Sequence, residues 1–163
     1  MSDYKKIIDF IKNQFPSQEF IPLHEPRFMG KEKDYVADAI DSTFVSSVGS
    51  YVNKFEEKMA EITGTKFAVA TVNGTSALHM SLLISGVERD DEVITQPLTF
   101  IATTNAIAYI GARPVFIDVD LDTMGLSPKA LKSFLEEETY KKGEYTYNKK
   151  TNKRITDLNL LFN

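Results

Sequence analysis

Apolar positions follow two rhythms, a helical one through the first 64 residues and a strand–helix alternation after them. Over residues 3–15, Ile7, Ile11 and Phe15 stand four apart, with Ile8 and Phe10 widening the stripe. This predicts an amphipathic helix that packs on a neighbour and is stopped by Pro16. Residues 16–30 are proline-rich and irregular, and 31–41 predict a second helix with Val36 and Ile40 inside. Thr43–Ser50 is too rich in Ser, Thr and Val for a helix and reads as an extended loop. A third helix is expected over 51–63, with Val52, Phe55, Met59 and Ile62 on one face and Gly64 as its terminating glycine.

From residue 66 the pattern changes. Residues 66–72 (KFAVATV) form a short apolar, β-branched run, the signature of a buried parallel strand. A helix through SALHMSLLIS follows, closed by Gly86. Then come a strand over 92–96, a helix over 99–110 ended by Gly111, and a strand over 113–119. Ser127-Pro128 is an N-cap with proline at the first helical position, opening a helix over 129–138. The order βαβαβα demands parallel pairing, so the fold class is α/β with a helical N-terminal arm. The segmentation expected is 1–64 (arm and substrate-side loop), 65–140 (partial cofactor-binding α/β domain) and 141–163 (polar basic insertion and atypical terminus).

Composition narrows the chemistry. The chain has 163 residues, no cysteine and two histidines, His24 and His79. Disulfides, thiolate metal sites and cysteine nucleophiles are excluded, and no metal site is expected. No apolar run approaches the ~20 residues of a membrane helix, and the N-terminus is amphipathic rather than a continuous apolar leader. A cytoplasmic protein without membrane contact is expected. The net charge of -4 is unevenly spread: residues 141–154 hold six basic residues against Glu144 alone, and 13 basic and 22 acidic residues remain elsewhere. An acidic body argues against nucleic-acid binding, and the basic stretch reads as a solvated loop.

Three places carry candidate chemistry. At Val72–Ala77 a glycine-containing loop opens a helix whose free N–H groups, with the Thr75 and Ser76 hydroxyls, suit a phosphate; the same residues also make an ordinary capped helix start. Neither a P-loop nor a dinucleotide fingerprint is present, which disfavours a nucleotide-binding Rossmann protein. Phe100 follows the second predicted strand, where open α/β sheets bind ligands; it either stacks on a flat ring or serves the core. Asp118, Asp120 and Asp122 alternate, but Thr123 and Lys129 occupy the positions where a calcium loop needs Gly and Glu. His79 reads as a packed histidine, and His24 lies in an irregular segment able to line a site.

VNGTSAL, QPLTFIATTNAI and GARPVFIDVD, in this order and spacing, resemble the DegT/StrS-type sugar aminotransferases, fold-type-I enzymes dependent on pyridoxal 5′-phosphate. The opening IPLHEPRFMGKEKDYVADAIDSTFVSSVGSYVNKFEEKMAEITG matches as well, and the long arm, the FVSSVG wording and the polar insertion look most like the LegC-type branch. The resemblance covers about residues 20–155 and implies roles one residue at a time. Thr75 and Ser76 would hold the cofactor phosphate, with Asn73 and Gly74 shaping the loop, and Phe100 would stack on the pyridine ring. Ser46, Ser47, Val48 and Gly49 would line the sugar side. The implied substrate is UDP-4-keto-6-deoxy-N-acetylhexosamine, the implied donor glutamate, and the implied assembly a homodimer. The family's aspartate at the ring nitrogen and its cofactor-bearing lysine belong to later segments. Asp157 falls too early for the first, and Ser127 to Lys132 matches the lysine's spacing only by chance. No catalytic residue is therefore assigned, and the chain is expected to be the inactive N-terminal portion of an aminotransferase. A related dehydratase, with histidine at the lysine position, is a close variant. A non-catalytic phosphate- or cofactor-binding module is the alternative from another class.

Overall fold

A computed structural model describes residues 3–46 and 49–156. The chain divides into two units, Met1–Ala68 and Val69–Asn163. The first is helical: α1 (Asp3–Gln14), α2 (Glu32–Asp41) and α3 (Ser50–Thr63). α3 ends on Gly64 at φ 70°, the left-handed cap expected there. The Tyr51 hydroxyl donates to Asp38 Oδ2 at 2.8 Å, and the Tyr35 and Tyr51 rings lie 5.5 Å apart, tying α2 to α3. That hydrogen bond raises the Tyr51 pKa, because ionisation would set a phenolate against the carboxylate. The expected inward faces are not buried: Ile7 and Val36 are 55% and 60% exposed, and Ile11, Ile40, Phe55 and Ile62 are exposed too. Periodicity selects a helix and its apolar stripe but does not supply the surface that covers the stripe.

In the second unit α4 (Gly74–Ile84), β1 (Glu92–Thr95), α5 (Ile101–Ile110), β2 (Arg113–Phe116) and α6 (Pro128–Glu137) follow the expected alternation. β1 and β2 pair in parallel, Glu92 beside Arg113 through Thr95 beside Phe116. All four residues of β1, the polar Glu92 and Thr95 included, are buried, as in a strand covered on both faces. Val93 packs with Val87, Ile107 and Ala112, backed by Leu82 and Ile110 of α4 and α5. The next residue, Ile94, packs instead with Ile117 and Ile155, backed by Leu131 and Phe134 of α6. Helices therefore cover both faces of the strand.

Two expectations are corrected. Residues 66–72 join no sheet among the described residues, and Phe67 and Val69 stay exposed. β propensity prepares a strand, but a ladder needs a neighbour. The basic stretch is not a solvated loop. It forms a hairpin, β3 (Thr139–Lys142) and β4 (Tyr145–Asn148), turned at Gly143 with φ 65°. Tyr140 sits opposite Tyr147 with rings stacked 5.7 Å apart. β5 (Arg154–Ile155) then runs antiparallel to β4 and parallel to β1, giving the order β2-β1-β5-β4-β3.

Buried polar groups fasten the hairpin to β1. Glu92 accepts from Asn148 Nδ2 at 2.8 Å and from Thr151 Oγ1 at 2.7 Å. At the surface beside them Lys153 Nζ lies 3.1 Å from Asp90. The Lys153 hydrogen bond, then its charge, holds the Asp90 carboxyl below its ordinary value. A carboxyl depressed by folding contributes stability at neutral pH that is lost as pH falls through its folded value. In an NMR titration Asp90 is expected below the usual Asp range, and Lys153→Ala is expected to move it upward; an unchanged midpoint would remove Lys153 as the cause.

Candidate functional site

Asn73 is the N-cap of α4: its Oδ1 accepts from the Ser76 amide at 2.8 Å, and its backbone is extended as a cap requires. Thr71 Oγ1 donates to the Asn73 carbonyl at 3.0 Å, fixing the entry to the helix. Gly74 is the first helical residue. Its φ is not in the left-handed region, so the tight-turn reason for a glycine does not apply. A Cβ at this position would meet nothing within 4 Å. The glycine therefore leaves open space before the helix start. Within the described residues no hydrogen bond engages the Gly74 or Thr75 amides or the Thr75 and Ser76 hydroxyls. The first turn of α4 thus holds two uncommitted N–H donors, two hydroxyls and the positive end of a helix dipole.

Asn73→Ala removes the cap and is expected to cost about 1 kcal/mol of stability, whereas Asn73→Ser retains most of it. Urea unfolding of the two variants checks this, and equal losses would refute a capping role.

Phe100 is the N-cap residue of α5 and is 78% exposed, so the core reading of this ring does not apply. It lies just beyond β1, at the carboxyl end of the parallel strands. α4 and α5 pack side by side, and the His79 ring meets Tyr109 edge-on at 5.9 Å. That contact engages His79 in packing between the two helices. The structure therefore brings Asn73, Gly74, Thr75 and Ser76 together on one turn and Phe100 onto the neighbouring helix.

Of the residues expected on the sugar side, Ser47 and Val48 lie outside the described residues. Ser46 and Gly49 belong to the helical unit. Gly49 is the extended N-cap of α3, and a Cβ there would stand 3.3 Å from the Phe44 carbonyl oxygen. His24 is exposed. Asp118 accepts from the Val119 amide at 2.8 Å as a turn residue, and no acidic or histidine cluster able to hold a metal occurs among the described residues. Among them, too, no helix is long and apolar enough to cross a membrane.

A phosphate monoester attached to a flat aromatic ring fits what is present: helix N–H donors and hydroxyls for the anion, and an exposed phenyl face for the ring.

The chain belongs to the DegT/DnrJ/EryC1/StrS aminotransferase family, whose pattern matches residues 27–143. It is 48% identical over 109 residues to GDP-perosamine synthase of Escherichia coli O157:H7, covering 67% of this chain and 30% of that protein. Among solved structures, the aminotransferase from Psychrobacter cryohalolentis superposes with a TM-score of 0.62 at 37% identity, over 69% of this chain and 29% of that one. The PLP-form of Spr1654 from Streptococcus pneumoniae does so with a TM-score of 0.60 at 28% identity, over 69% and 29%. The fold is that of fold-type-I enzymes, and the family's cofactor is pyridoxal 5′-phosphate. The chain spans about three-tenths of the length of the curated relatives it matches.

Proposed function

We propose that the chain is the N-terminal part of a pyridoxal-phosphate-dependent aminotransferase acting on a nucleotide-linked keto-sugar in cell-surface sugar synthesis. The observation that carries this reading is the first turn of α4, where Gly74 leaves space and the Gly74 and Thr75 amides and the Thr75 and Ser76 hydroxyls are uncommitted among the described residues. In this reading Asn73 fixes the turn, Thr75 and Ser76 bind the phosphate, and Phe100 covers one face of the ring. The bound cofactor supplies an electron sink for amino transfer. The chain's own residues bind and orient it; no residue here is assigned a proton transfer. Ser46, Ser47, Val48 and Gly49 are proposed to line the sugar side.

UDP-4-keto-6-deoxy-N-acetylhexosamine as acceptor, glutamate as donor, a cytoplasmic homodimer and the division at 1–64, 65–140 and 141–163 belong to the same proposal. In this reading the cofactor-bearing lysine belongs to a later segment of the protein, and these 163 residues by themselves are proposed to bind cofactor without turnover.

Pyridoxamine 5′-phosphate, which is fluorescent, tests this directly. The 163-residue chain is expected to bind it saturably. The double substitution Thr75→Val, Ser76→Ala is expected to weaken binding roughly tenfold or more, two hydrogen bonds to a charged group being lost. No saturable binding, or no loss in the double variant, would refute the phosphate assignment. Turnover by the pure chain would refute the inactive-portion reading.

A further inference from the structure

Between β1 and α5 the chain passes through Gln96-Pro97-Leu98-Thr99 before reaching Phe100. Little packing holds this loop, since Leu98 and Phe100 are 55% and 78% exposed. What holds it is the Gln96 carboxamide. Its Nε2 donates to the Leu98 carbonyl at 2.7 Å and to the Met124 carbonyl at 3.2 Å. Both amide protons are thus spent, one on the loop that Gln96 begins and one on the turn after β2.

That turn is a firm anchor. The Asp120 amide donates to the Gly125 carbonyl and the Met124 amide to the Asp120 carbonyl, both at 2.8 Å, and Val119 bridges Leu126. Met124 itself sits at φ 55°, a left-handed conformation that the surrounding bonds impose. Beyond the clasp, Thr99 Oγ1 and Thr103 Oγ1 lie 3.2 Å apart, joining the loop to the first turn of α5. The Phe100 backbone is therefore held on one side by Gln96 and on the other by its own helix.

We propose that Gln96 is a positioning residue for the cofactor ring: its carboxamide clasps the β1–α5 loop to the Met124 turn and sets the plane of Phe100. The proposal rests on Phe100 stacking on that ring, as read above. The chemistry requires a donor pair. Glutamate has the same shape, but at neutral pH it sets a carboxylate against two carbonyl oxygens. Methionine keeps the length and removes the hydrogen bonds without adding charge.

The test uses the full 163-residue chain with pyridoxamine 5′-phosphate as probe and inorganic phosphate as competitor. Gln96→Glu is expected to raise the Kd for the probe about three- to tenfold, the size of the hydrogen bonding lost, and to leave the phosphate Kd within about twofold. Gln96→Met is expected to show the same split and serves if the charged variant does not fold by circular dichroism. In a Phe100→Leu background the Gln96 effect is expected to vanish, because there is no ring left to position. Retention of the full Gln96 effect in that background, or an unchanged probe Kd in both Gln96 variants when Phe100→Leu alone weakens binding, overturns the proposal. If Phe100→Leu itself changes nothing, the stacking assignment fails first and the proposal falls with it.

Discussion

Asp91→Ala is expected to destabilise the chain by about 3 kcal/mol or more, the cost of leaving a largely buried cation without its partner. Asp91 is 5% exposed, and its carboxylate is fully engaged. Oδ1 accepts from Arg154 Nε at 2.8 Å. Oδ2 accepts from Arg154 Nη2, from the Glu88 amide at 2.8 Å and from Thr156 Oγ1 at 3.4 Å. The fork-to-fork geometry is the kind that makes a carboxylate–guanidinium pair worth more than a surface contact. Arg154 also donates to the Gly86 carbonyl at 3.0 Å, so one side chain joins β5 to both ends of the connection between α4 and β1. The Asp91 hydrogen bond is the largest cause raising the Arg154 pKa, which keeps the guanidinium charged across the accessible range.

The contrast that makes the prediction specific is Glu88. Its carboxylate lies 3.5 Å from the same guanidinium, but its side chain is 77% exposed. Glu88→Gln is expected to cost under about 1 kcal/mol. Arg154→Lys is expected to resemble Asp91→Ala more than wild type, because an ammonium cannot supply the two-pronged contact. Urea unfolding of the whole chain measures all three. A loss of under about 1 kcal/mol for Asp91→Ala would show that the pair contributes no more than a solvated one.

This pair also shows where sequence reasoning stops. β1 and β2 are legible in the runs EVIT and RPVF, and α6 in Ser127-Pro128, because each signal lies within a few residues of its effect. Gly64 and Gly111 both end helices in the left-handed conformation, as their positions suggest. Asp91 and Arg154 are 63 residues apart, and nothing local to either says that they meet. The same holds for Gln96 and Met124, 28 residues apart.

The hairpin has a local signal in the sequence, masked by the basic charge of residues 141–154. Thr139–Lys142 and Tyr145–Asn148 flank Gly143-Glu144, a two-residue turn between β-prone segments. Lysines on an edge strand are compatible with pairing and protect the edge from further association. Of the candidate site, the capped first turn of α4 is legible because Asn73, Thr75 and Ser76 are residue types that favour a helix start. The exposure of Phe100 is not, because an aromatic after a strand has the same sequence signature whether it faces the core or a ligand.

Ile107→Ala is the second large loss expected, about 2–5 kcal/mol. Ile107 is 2% exposed, the largest side chain so deeply buried among the described residues. It joins α5 to Val93 of β1, to Val87 and to Ala112, with Leu82 of α4 beside it. Truncation removes apolar contacts on several sides, and helices and sheet together restrict collapse into the space left. Ile107→Val, one methylene smaller, is expected to cost only about 0.5–1.5 kcal/mol. Tyr109→Ala, two residues along the same helix, is expected to cost much less than Ile107→Ala, because Tyr109 is 63% exposed and its packing partner is the His79 ring. The ranking of Ile107→Ala above Tyr109→Ala is therefore set by burial rather than by residue size. Tyrosine is the larger of the two side chains, so a scale governed by size would invert this pair. Because Phe100 caps the same helix, loosening α5 by Ile107→Ala is also expected to weaken pyridoxamine 5′-phosphate binding, whereas Tyr109→Ala leaves it near wild type. Urea unfolding and probe titration of the three variants decide both points: a Tyr109→Ala loss equal to that of Ile107→Ala would mean that α5 is held from its outer face, through α4, and not by the core beneath it.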